Sequence, residues 1–136
     1  MTFKQFLLVD DDKDDRELFC EALEDVSKEI SCHTAAGANE ALALLATLHP
    51  GKPDVIFLDI NMPLVSGWEC LTLLKKNEQY KDIPVIIYST SSHSRDIEIA
   101  HDLGAHRFIT KPHDYKLLIN VLTEVVTSGT PLNACP

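Results

Sequence analysis

Phe6-Leu7-Leu8-Val9-Asp10-Asp11-Asp12 is four apolar residues followed at once by three acids. An unbroken apolar run this short reads as a strand buried on both faces, which is the habit of parallel sheets. The same design recurs in Val55-Ile56-Phe57-Leu58-Asp59 and in Val85-Ile86-Ile87-Tyr88-Ser89. A more polar strand is predicted over 30–36 and a short one over 107–110. Between the strands, apolar residues recur at helical spacing. Leu18, Phe19, Ala22, Leu23 and Val26 mark a first helix, and Ala41, Leu42, Leu45 and Leu48 a second. Trp68, Leu71 and Leu74 mark a third, 94–103 a fourth ending at Gly104, and Leu118, Val121, Leu122, Val125 and Val126 a fifth. Strand and helix thus alternate five times, which predicts an α/β fold with helices on both faces of a parallel sheet.

The rest of the 136-residue chain narrows the class. Apolar residues make up 45%, and 12 lysines and arginines against 21 acids leave a net charge of −9. One domain is expected over residues 1–128, with 129–136 a flexible C-terminal tail and no room for an output domain. The negative balance disfavours nucleic acid and anionic membrane, which need clustered cations. No apolar run approaches the roughly 18 residues of a membrane span, and the acids after Val9 do not suit a signal peptide. Cys20, Cys32, Cys70 and Cys135 are scattered, with no C-x-x-C pair. They read as reduced thiols, so a cytoplasmic protein is expected. His101, His106 and His113 read as surface residues.

In an open parallel sheet, ligands bind beyond the carboxyl ends of the strands. The first strand delivers Asp10, Asp11 and Asp12 there. The third delivers Asp59 and then Asn61, the fourth Ser89 and Thr90, and the fifth Thr110 and Lys111. Crowded carboxylates repel by about 4 kcal/mol at 4 Å in a medium of effective dielectric 20. A hard divalent cation would relieve this, and magnesium leaves coordination positions for a phosphate. A lysine facing the acids and a serine hydroxyl suit the anion. The set describes phosphoryl transfer, in which a carboxylate can itself be the nucleophile.

Residues 6–12, 55–63 with Gly67, 84–89, and Gly104-Ala105 followed by Phe108-Ile109-Thr110-Lys111-Pro112 together resemble the receiver domain of two-component response regulators. The resemblance runs from about Phe6 to Val126. It implies a flavodoxin-like (βα)5 fold with strand order 2-1-3-4-5. It implies that Asp59 takes a phosphoryl group from a phosphohistidine, and that magnesium, or manganese, is held by Asp11, Asp59, the backbone carbonyl of Asn61 and, through water, Asp10. Ser89 and Lys111 would bind the phosphoryl group, Phe108 would be an aromatic switch, and the Lys111–Pro112 bond would be cis. Such a protein is not an enzyme in the ordinary sense, because it promotes only its own phosphorylation and dephosphorylation.

Three positions depart from the commonest pattern of that family. Ser89 replaces a frequent threonine, Thr90 a frequent alanine, and Phe108 lacks a tyrosine hydroxyl. The implied partners are a sensor histidine kinase or a histidine phosphotransfer protein, and a downstream protein reading the fourth helix, fifth strand and fifth helix. Monomer or weak homodimer is expected. Residues 75–84 and Ser89-Thr90-Ser91-Ser92 look like single-domain receivers that partner phytochrome-type and related hybrid kinases. Messenger and relay carrier both remain open. Against this stand a calcium loop with Asp10, Asp12, Asp14 and Glu21, which lacks its glycine at Asp15, and a dehalogenase-type phosphatase, which needs threonine or valine at Asp14. Taken alone, Asp12, Asp14, Asp15 and Glu17 suit the positive end of a helix, and Trp68 suits packing.

Overall fold

The computed structural model describes residues 3–48 and 51–128, so the expected tail at 129–136 and Cys135 lie outside the described residues. The elements run β1 (Gln5–Val9), α1 (Lys13–Val26), β2 (Ser31–Ala35), α2 (Ala38–Leu48), β3 (Val55–Leu58), α3 (Gly67–Lys76), β4 (Val85–Ser89), α4 (Ser94–Asp102), β5 (Arg107–Thr110) and α5 (Tyr115–Ser128). The strands form one sheet in the order β2-β1-β3-β4-β5, every neighbour parallel. This is the α/β architecture and the strand order expected above. None of the described helices is long and apolar enough to cross a membrane.

Side chains of a strand alternate between faces, and the core divides accordingly. Leu7, Val9, Ile56, Leu58, Val85 and Ile87 pack under α2, α3 and α4. Phe6, Leu8, Val55, Phe57, Ile86 and Tyr88 pack under α1 and α5. The second face carries an aromatic chain in which Phe57 meets Phe6, Phe19 and Tyr88 at ring separations of 5.5, 4.9 and 6.2 Å. Because β1, β3 and β4 are covered on both sides, their polar residues can stand only at their ends. The outer strands β2 and β5 are each covered less completely, which accounts for their mixed sequences.

The helix ends follow local chemistry. Asp12 N-caps α1, its carboxylate accepting from Asp15 N at 3.1 Å, and Ser66 caps α3 through Glu69 N at 3.3 Å. Such caps satisfy the donors that a helix leaves unpaired at its start. Gly104 follows α4 with φ +94°, the left-handed geometry expected there.

Leu18 lies on α1 as expected but is 45% exposed, at the edge of a cleft with Tyr115 and Leu118. Two expectations need correction. His106 is half-buried, and its Nε2 has no hydrogen-bond partner; burial and the nearby Lys75 charge lower its pKa. Cys20 and Cys32 are not free thiols but form a disulfide, with Cα atoms 5.7 Å apart. They are 12 residues apart in sequence, and only the packing of α1 against the neighbouring strand β2 brings them together. Cys70 is free and buried.

Closing so short a loop restricts the unfolded chain by about 3 kcal/mol in the chain-entropy view. Reduction should therefore cost roughly 2–3 kcal/mol of stability, read as a lower denaturant midpoint. A Cys20→Ser/Cys32→Ser variant should show the same midpoint with and without reductant.

Candidate functional site

The site is assembled at the carboxyl rim by backbone ladders that continue one residue beyond the strands. Asp10 N donates to Ala35 O at 3.0 Å, and Asp59 N donates to Val9 O at 2.9 Å. Both acids are thereby fixed side by side. Asp10 is wholly buried, Asp59 is 5% exposed, and Asp11 is exposed. One carboxylate oxygen from each of the three lies within 4.8 Å of the others. Asp10 Oδ1 accepts from Asp12 N at 2.9 Å, and Asp59 Oδ1 accepts from Asn61 N at 3.2 Å.

Lys111 crosses the rim to meet them. Its Nζ stands 2.7 Å from Asp10 Oδ2, 2.7 Å from Asp15 Oδ2 and 3.8 Å from Asp59 Oδ2, with the Tyr88 ring 5.6 Å away. Asp10 Oδ2 is buried and is met by the Lys111 ammonium at ion-pair distance. Burial works to lower the Lys111 pKa, but the contacts with Asp10 and Asp15 and the Asp59 charge outweigh it, and the net direction is up. For Asp59 burial dominates. It lifts the pKa from 3.8 to about 6, against the lowering by Lys111 and with the raising by Asp10.

Ser89 is fully buried at the end of β4. Its carbonyl accepts from Lys111 N at 2.7 Å, and its Oγ accepts from Ser91 N at 3.2 Å. Phe108 lies beside Ile87 in the sheet and packs, partly buried, on the α2–α4 side of the core. Gly67 is dictated by space: a Cβ there would sit 2.3 Å from Asp59 O and 2.4 Å from the Ile60 Cα. The loop leading to it turns tightly. Leu64 has φ +69°, and Val65 N donates to Pro63 O across it at 2.9 Å, a three-residue turn that strains a non-glycine residue.

The strand-end residues Asp10, Asp11, Asp59, Asn61, Ser89 and Lys111 therefore share one rim. Asp12 acts as a helix cap, as expected, but Asp15 does more than suit a helix terminus. It reaches the Lys111 ammonium across 96 positions of sequence, a contact that spacing cannot signal. Arg16 was also missed; its guanidinium donates to Asp10 O at 2.8 Å. The calcium-loop alternative fails, because Glu21 lies within α1 and Asp12 is committed to capping it.

Three carboxylates in mutual reach, two of them buried, fit a hard divalent cation. Asp10, Asp11, Asp15 and Asp59 carry four negative charges against the two of Lys111 and Arg16, so the cluster retains an excess that a cation would neutralise.

Comparison with known proteins adds the following. The family model of the response regulator receiver domain matches residues 6–123. The chain is 32% identical over 123 residues to protein PilG of Pseudomonas aeruginosa, covering 89% of each. The structure of the phosphorylated cyanobacterial phytochrome response regulator RcpA superposes with a TM-score of 0.82 at 32% identity, over 93% of this chain and 96% of that one. The Mn(2+)-bound form of response regulator Rcp1 superposes at 0.80 with 27% identity, over 98% and 99%.

The raised Asp59 pKa has a signed consequence for metal-free protein. Below the unfolded value of 3.8 the carboxyl is protonated in both states and costs nothing; above about 6 the full penalty is present. Asp59→Asn should thus stabilise the protein at pH 7.5 by on the order of 1–2 kcal/mol. That gain should shrink as the pH falls through 6 and vanish near 4, read by denaturant melts in chelator. Gly67→Ala should cost roughly 1–3 kcal/mol or more through overpacking, measured the same way.

Proposed function

We propose, from the premise that the chain belongs to the response regulator receiver domain family, that it is a phosphoacceptor of a two-component phosphorelay. Asp59 takes a phosphoryl group from a phosphohistidine on a sensor histidine kinase or histidine phosphotransfer protein. The observation that carries this reading is the gathering of Asp59 with Asp10 and Asp11 beside Lys111 and the buried Ser89.

In the proposed reaction an Asp59 carboxylate oxygen attacks phosphorus as the P–N bond breaks. The electron pair leaves on the histidine nitrogen, which takes up a proton. With a pKa of about 6, Asp59 is mostly ionised at neutral pH and ready to act. Asn61 N–H orients one oxygen. The other faces Lys111, which at 3.8 Å is close enough to turn to a phosphoryl oxygen once the group arrives. The Ser89 hydroxyl receives a second phosphoryl oxygen. Asp10, Asp11, Asp59 and the Asn61 carbonyl would hold Mg2+ or Mn2+, which supplies charge neutralisation between carboxylates and phosphoryl oxygens when bound. Transfer of this kind depends chiefly on positioning and charge.

The protein would change only its own phosphorylation state and pass its signal by contact. Phe108 lies on β5 and Ser89 ends the adjoining strand β4, so the surface of α4, β5 and α5 is the proposed face for a downstream protein. The likeness to RcpA, a phytochrome response regulator, supports a kinase of phytochrome type as the donor.

Incubation with acetyl phosphate, and separately with phosphoramidate, whose P–N bond imitates phosphohistidine, should add about 80 Da in the presence of magnesium. The gain should be absent with chelator and in Asp59→Asn. No adduct from either donor, with no protection of the acidic cluster by magnesium in a thermal melt, would remove the phosphoacceptor reading.

A further inference from the structure

Beyond the rim, the loop leaving β4 is organised around one residue. Ser91 N donates to Ser89 Oγ at 3.2 Å. Ser91 Oγ donates to Asp96 Oδ2 at 2.5 Å and accepts from His93 N at 3.3 Å. Ser91 O accepts from Thr110 Oγ1 at 3.0 Å. All the polar groups of Ser91 are therefore engaged, on β4, on α4 and on β5. The bond to Asp96 is a hydroxyl-to-carboxylate contact, the stronger kind of side-chain hydrogen bond.

We propose that Asp96 is a positioning residue for Ser89, acting through Ser91. This rests on the reading of Asp59 as phosphoacceptor and deepens it. A serine hydroxyl has one proton to donate and two lone pairs to accept with. Ser91 N–H occupies a lone pair of Ser89 Oγ, which restricts the rotation of that hydroxyl and leaves its proton for a phosphoryl oxygen. Ser91 N–H is in turn held by the position of its own side chain, which Asp96 anchors. Asp96 is well suited to this because it sits in the first turn of α4, where a carboxylate is favoured by the helix dipole. His93, at the N-cap, contributes no side-chain cap of its own. Its own N–H donates to Ser91 Oγ.

The same chain of bonds carries a consequence for signalling. A phosphoryl group that draws Ser89 Oγ toward Asp59 displaces the partner of Ser91 N–H. Ser91 cannot follow without moving Asp96 and Thr110, and with them the start of α4 and the end of β5. Asp96 thus links the hydroxyl that meets phosphate to the helix of the proposed output face.

Two measurements on one set of variants test this. Adduct formation on Asp59 is followed by intact mass at increasing acetyl phosphate with magnesium. Hydrogen exchange is followed in the unphosphorylated protein at Ser91 and in the first turn of α4. Asp96→Ala and Ser91→Ala should each slow the saturated rate about five- to tenfold, the effect of losing one net hydrogen bond. The half-saturating acetyl phosphate concentration should not move. The double variant should be no slower than either single, because both remove one linkage. Asp96→Asn keeps an acceptor oxygen and should stay within about twofold of wild type. Faster exchange in Asp96→Ala with an unchanged rate would reduce the linkage to a helix cap and overturn the positioning role. Multiplied losses in the double variant would overturn it too. A wild type that takes no phosphoryl group under these conditions would instead remove the phosphoacceptor reading, and the positioning role with it.

Discussion

The Lys111 ammonium stands among Asp10, Asp15 and Asp59, at 2.7, 2.7 and 3.8 Å, and it ties the end of β5 to β1, β3 and α1. Buried carboxylates without such a partner would be too costly to keep ionised. Yet the neutralisation is incomplete, and the direction of the Asp59 pKa records it: burial and Asp10 raise it further than Lys111 lowers it. A site left short of positive charge in this way has a use for more. On the proposed reading a divalent cation would answer that shortage, and the same lysine would turn from carboxylate to phosphoryl oxygen with little travel.

That arrangement is possible because the sheet leaves polar residues nowhere else to go. β1, β3 and β4 are buried on both faces, so their acids and hydroxyl emerge together at the carboxyl rim. Parallel pairing aligns those ends without further instruction. Gly67 completes the geometry by letting α3 start directly against Asp59, where any side chain would collide with the backbone. The strained turn at Leu64 is the local consequence of bringing the chain back so tightly.

From the rim, connection to the rest of the molecule runs through few atoms. Lys111 N binds Ser89 O, Thr110 binds Ser91 O, and Ser91 binds Asp96. These contacts join β4, β5 and α4, so a change at Ser89 has a short physical route to a surface. Phe108 packs, partly buried, on the α2–α4 side of the core.

The amino-acid order by itself determined the architecture and the strand-end chemistry. Unbroken apolar runs such as 55–58, short and closed by polar residues, read as doubly covered strands, and the residues that terminate such strands stand at an end of the sheet. Asp10, Asp11, Asp59, Ser89 and Lys111 were legible on that ground, and Gly104 was legible from its place after a helix. The tertiary structure decided everything that depends on two distant segments meeting. Asp15 looked like an acid at a helix start until the fold set it against Lys111. Cys20 and Cys32 looked like separate thiols until α1 packed on the sheet beside β2. His106 looked like a surface residue, and nothing in the sequence set Asp96 apart. Periodicity reports which face of its own element a residue occupies; it carries no information about which residue of another element will be there to meet it.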